Sequence, residues 1–142
     1  MKIKIGKYPK RSDAKRKVKI RIDPYDTWGM DETLALIIIP LLKQLKGTKQ
    51  GSPLVDDCDV PHELKSTSAP AKEREWDLDD NHHKRWEWAL DEMIWSFEQH
   101  TIEWEQQYFH EDEIDREGMK AHAERMKNGR MLLAKYYDAL WD

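Results

Sequence analysis

Between Asp80 and Gln107 the chain has neither Pro nor Gly, and its apolar residues recur at helical spacing. At about 100° per residue, Trp86, Leu90, Met93, Phe97 and Trp104 share one face, while Trp88, Trp95 and Ile102 lie nearly opposite. A helix apolar on two sides must be covered on two sides. One side can meet the chain's own core, but 142 residues leave little to cover the second, which points to another subunit or a ligand. Covering by a long loop of the same chain is the alternative. Between the two sides Glu87, Asp91, Glu98 and Glu105 form an acidic stripe.

The remaining elements follow from period and punctuation. Lys2–Ile5 and Lys17–Ile22 alternate strictly, so residues 1–23 form a two-stranded hairpin with an apolar face and a basic face, joined through the polar loop Tyr8 to Ala14. Edge-strand lysines that merely block aggregation are one account of the basic face. After the turn Asp23-Pro24-Tyr25-Asp26, a helix over 30–46 opens with Asp31 and Glu32, contains Pro40 and stops at Gly47. Its nearly all-round apolar surface places it in the middle of the fold. Residues 47–78 form a long loop or arm. The last helix spans 115–140, with Met119, His122, Met126, Gly129, Leu133, Tyr136 and Leu140 in an apolar stripe. Because Gly129 falls on that stripe, Asn128-Gly129 reads as a close helix contact rather than a hairpin turn. The last two helices then pack antiparallel across Glu111-Asp112-Glu113. The expected fold is a single α+β domain, mainly α: a basic hairpin with three main helices.

Charge divides the chain in two. Residues 1–21 hold ten Lys or Arg against one acid, a net of +9, so the overall −4 leaves −13 on residues 22–142. Such a split fits a basic arm for nucleic acid, or a basic element that docks on an acidic surface of its own or a sister chain. Seven Trp and five Tyr supply enough apolar area for a packed core despite 37% charged residues. The single cysteine, Cys58, lies among acids that disfavour its thiolate, and one thiol cannot make an intrachain disulfide. The longest apolar run, Leu34 to Leu42, is shorter than the roughly 20 residues of a membrane span. No leader segment is recognisable, so the expected location is the cytoplasm, with no membrane partner.

The most unusual cluster is His82-His83-Lys84-Arg85 at the start of the long helix. Unpaired amides already make a helix start positive, so each cation there costs about 0.3–1 kcal/mol. Convergence of helix amides, Arg85, Lys84, His82 and His83 on a phosphate would repay that cost, with Trp86 or Trp88 stacking on a base. A solvated turn answered by Asp77, Asp79 and Asp80 is the structural alternative. His83, Glu87 and Asp91 are weak metal candidates, since one i, i+4 pair lacks a second ligand pair. His122, beside Glu124 and Arg125, reads as a satisfied core histidine. No nucleophile elbow, P-loop, dinucleotide fingerprint or kinase signature is present, so enzyme classes lose ground and no cofactor is expected.

Ile20 to Trp28, Leu34 to Lys46, Gly51-Ser52-Pro53 with Val55-Asp56-Asp57, Asp80 to Trp88 and Lys135 to Asp142 resemble a family of small uncharacterised proteins of tailed bacteriophages. Gly29 departs from that pattern, and Tyr108 to Glu117 is shorter. The resemblance implies an origin, in the cytoplasm of an infected bacterium, with the virion also open. It implies no activity. The leading expectation is a non-enzymatic homo-oligomer that sequesters a phosphate-bearing small molecule such as a nucleotide immune signal, at His82, His83, Lys84, Arg85, Trp86 and Trp88. The alternatives are an interaction protein gripping nucleic acid through residues 2–21, or a host macromolecule through the acidic stripe, and a metal-dependent hydrolase.

Overall fold

Strict alternation in the first residues produces strands β1 (Lys2–Ile5) and β2 (Val18–Arg21), paired antiparallel with Lys2 opposite Arg21, Ile3 opposite Ile20, Lys4 opposite Lys19 and Ile5 opposite Val18. The computed structural model describes residues 1–11, 14–111 and 113–141; Ser12 and Asp13 of the hairpin loop, Asp112 of the acidic connection and Asp142 lie outside them. A 3₁₀ turn at Pro24–Thr27 follows, closed by Asp23 and Asp26 across its start, and the N-terminal ammonium sits 3.2 Å from Asp23 and 2.9 Å from Asp26. Residues Met1–Leu34 form one unit and Ala35–Asp142 a second.

Helix α1 (Met30–Thr48) carries Pro40 inside it and runs through Gly47, one residue beyond the glycine expected to end it. It does not occupy the centre. Of its residues only Ala35 and Leu42 are buried, and Leu36 and Leu41 are more than half exposed. The centre belongs to α2 (His82–Gln99), eleven of whose eighteen residues are buried. Two aromatic-bearing sides let α2 take that position, because neighbours can bury more of it than of the aliphatic α1.

The helix expected over 80–107 ends at Gln99, and Trp104–Tyr108 is a separate 3₁₀ turn. Beyond Gln99 come β-branched Thr101 and Ile102 and then Glu103 and Glu105, acids at the end where the helix dipole disfavours them. The Thr101 hydroxyl donates to the Glu98 carbonyl at 2.8 Å, taking an acceptor from the last turn. Helix α3 (Arg116–Lys135) is capped by Asp115, which accepts from the Gly118 amide at 2.8 Å. It stops five residues short of the expected Leu140, because Tyr136 leaves the helical path to place its ring 6.0 Å from Trp86 and its hydroxyl against Asp59.

Helices α2 and α3 are antiparallel: Gln99 meets His122, Ser96 meets Met126 and Trp86 meets Tyr136. Gly129 is the closest approach, where a Cβ would fall on Ser96 and 2.5 Å from the Glu92 carbonyl. Of the second side, Trp88 and Trp95 pack within the chain, while Ile102, beyond the end of α2, is 58% exposed. Trp95 packs on His122 with ring centres 4.9 Å apart, the Arg125 guanidinium lies 3.9 Å above Trp95, and Trp88 leans on the main core. Three of the four acids of the stripe are answered as well. Lys43, Lys46 and Lys49 stand 2.6, 2.5 and 2.6 Å from Glu98, Asp91 and Glu87.

The arm over 47–78 is ordered by three 3₁₀ turns, at Asp57–Asp59, His62–Leu64 and Ser66–Ser68, and inserts Val55 and Val60 into the core. The fold is α+β and mainly α, as expected. Among the described residues no helix is long and apolar enough to cross a membrane.

Candidate functional site

The cationic turn at the start of α2 is built inward. Arg85 is 2% exposed and grips Asp79 with both terminal nitrogens at 2.8 Å, with a further bond of 3.2 Å to the Leu64 carbonyl. This guanidinium holds the Asp79 carboxyl down at about 2, against a burial that alone would raise it. His82 is buried and its Nε2–H donates to the Ser52 carbonyl at 3.1 Å, leaving Nδ1 enclosed without a partner. His83 Nδ1 lies 3.0 Å from the Ser52 hydroxyl, and Asn81 donates to the carbonyls of Glu63 and Lys65. The turn thus fastens the arm to α2.

Of the six residues expected to hold a phosphate, three are corrected by this geometry, His82 among them, since it is buried with its Nε2–H given to Ser52. Trp86 is 1% exposed in the core and cannot stack on a ligand, and the Arg85 charge is spent on Asp79. Trp88 is half-buried against the core. His83 and Lys84 remain exposed, Lys84 reaching Asn81 Oδ1 at 3.3 Å. The weak metal candidates are drawn apart by lysines: Glu87 pairs with Lys49, which lowers its pKa, and Asp91 pairs with Lys46.

Two other clusters were not legible from spacing. His122 is stacked on Trp104 at 4.5 Å, accepts from the Tyr108 hydroxyl at 2.9 Å and donates through Nε2 to Gln99 at 3.0 Å. Burial, then Arg125, pushes its pKa down, so it is the satisfied neutral histidine the sequence implied. Asp56, Cys58 and Asp59 gather within ligand distance of one another, but the Lys135 ammonium stands 2.7 and 2.6 Å from the two carboxylates. Tyr136 adds a bond to Asp59, and burial followed by that bond raises the phenol to about 12.

The hairpin differs from all of these. All ten of its cations are exposed, and among the described residues Lys2, Lys4, Lys17 and Lys19 have no acidic partner. The register sets like charges directly opposite each other, Lys2 against Arg21 and Lys4 against Lys19, an arrangement that destabilises an antiparallel pair. At the loop, Arg16 donates to the Gly6 carbonyl at 2.7 Å and lies 4.2 Å over the exposed Tyr8 ring. This surface is a narrow two-stranded ribbon, basic on one face and apolar on the other.

Comparison with known proteins finds no matching family model, no similar curated protein and no similar solved structure.

Proposed function

We propose that this protein binds nucleic acid through the basic face of its N-terminal hairpin, the reading held above as an alternative. The observation that carries it is the set of cations opposed across β1 and β2, of which Lys2, Lys4 and Lys19 have no acidic partner among the described residues while Arg21 also bonds Asp23 at 3.1 Å, on an element narrow enough to enter a major groove. Acidic mimicry of DNA loses its basis, since Glu87, Asp91 and Glu98 are paired with lysines of the same chain.

Fluorescence anisotropy with a short labelled duplex, repeated between about 50 and 200 mM salt, tests the proposal. Engagement of the four or five cations of one face gives a log–log slope of about −4. Absence of binding at the lowest salt removes the hairpin from any nucleic-acid role.

A second reading keeps part of the phosphate site. His83 and Lys84 are exposed at the start of an eighteen-residue helix, beside the Ser52 hydroxyl, and they support retention of a phosphate-bearing small molecule. Equilibrium dialysis against labelled ATP, with the Lys84→Ala variant as control, tests it; equal retention by both would discard the site.

A further inference from the structure

The basic face of the hairpin has a gap in it. Gly6 extends the register one step past Ile5, its amide donating to the Lys17 carbonyl at 2.8 Å, so this face carries Lys2, Lys4 and Gly6 on one side and Lys17, Lys19 and Arg21 on the other. No positive φ demands glycine there, but a Cβ would stand 3.3 Å from the Lys17 carbonyl and 3.6 Å from the Lys17 Cβ. Without a side chain at Gly6, a shallow recess of about 270 Å³ opens among Lys4, Gly6, Lys17, Val18 and Lys19. Its lining is mostly apolar, because lysines present methylene stems while their charged ends stay in water. Arg16 ties this recess to an aromatic ring. Its Nε–H donates to the Gly6 carbonyl at 2.7 Å, and its guanidinium lies 4.2 Å over one face of Tyr8, which is still 81% exposed. Tyr8 is thus a plate backed by a tethered cation, with its other face open.

We infer that the nucleic acid taken by this face is one with unpaired bases, a single strand or a loop, one base stacking on the open face of Tyr8 and its neighbour seated over Gly6. This rests on the nucleic-acid reading proposed above and narrows it. Lysines by themselves serve the phosphates of duplex and strand alike. A base inside a duplex has both faces covered, so it reaches Tyr8 only after unstacking, whereas an unpaired base offers a free face to an aromatic ring. The recess adds a second place for a flat apolar ring, and the lysines around it stand where the flanking phosphates must run. Cations for the backbone and an aromatic plate beside them are the two parts that strand binding requires.

Fluorescence anisotropy of the full-length protein tests this with a labelled strand of about 12 nucleotides, made as DNA and as RNA, and with the DNA duplex of the same sequence, all at one low salt concentration. A strand of at least one sugar type should bind about fivefold or more tightly than the duplex. Tyr8→Ala should remove that advantage and Tyr8→Phe, which keeps the ring, should retain it, while Lys4→Ala weakens strand and duplex together. Equal affinity for strands and duplex overturns the inference and leaves the broader nucleic-acid reading standing. A strand preference that Tyr8→Ala leaves intact overturns it as well. Absence of binding to every probe overturns both. The wild-type comparison does not depend on any variant folding.

Discussion

Arg85 and Asp79 show how a cation at the positive end of a helix is tolerated. The pair is bidentate, nearly fully enclosed, and lies between the arm and α2. Removing one partner strands the other: Asp79→Asn should lower unfolding free energy by about 3 kcal/mol, read by urea titration at neutral pH. The pH dependence has a definite sign. Asp79 titrates near 3.8 when unfolded and at about 2 in the fold, so its contribution is complete above about pH 4 and lost as pH falls toward 2. The variant should therefore lack that portion of the acid limb. Gly129 makes the opposite point, that absence of a side chain can be the requirement. Gly129→Ala drives a methyl into Ser96 and the Glu92 carbonyl and should cost about 1–3 kcal/mol, despite its better helix propensity, by thermal or urea unfolding. Position on the apolar stripe was enough to foresee that contact. Nothing in the spacing could show that Arg85 would turn inward, because Asp77, Asp79 and Asp80 were equally available partners.

At the scale of elements, the hairpin and the α1–α2 pair use the same residue types for opposite ends. Lys43, Lys46 and Lys49 meet Glu98, Asp91 and Glu87 of α2, and each such surface pair is worth about 0.2–1 kcal/mol. On the hairpin, cations meet cations. Lys4→Glu should therefore stabilise the β1–β2 pair by about 0.2–1 kcal/mol through the new contact with Lys19, while nucleic-acid affinity falls more than tenfold. Hydrogen-exchange protection of the hairpin amides and anisotropy on the same variant check both halves. A purely structural hairpin would gain the protection with no change in affinity. Alternation in the sequence was sufficient to locate both strands and the faces of their side chains. The end of α2 was not legible in the same way, since the Thr101 hydroxyl and the dipole's dislike of Glu103 and Glu105 outweighed an apolar period that continues to Trp104.

For the whole molecule, the core belongs to the helical unit. Its buried cluster runs from Ala35 through Val55, Trp86, Met93 and Phe97 to Tyr136. A chain lacking residues 1–28 should keep its helical circular dichroism and a cooperative melt, and should lose nucleic-acid binding entirely. Periodicity and charge, which are local properties, determined by themselves the hairpin, the three helices, the close contact at Gly129 and the division into a basic end and an acidic end. Only tertiary structure decided which helix became central, what covered the second side of α2, and whether each charge was spent inside the fold or left for a partner. Those outcomes depend on which surfaces meet across long stretches of chain. Arg85 and Lys4 carry the same charge, but one turns inward onto a carboxylate six residues before it and the other faces a lysine across the hairpin.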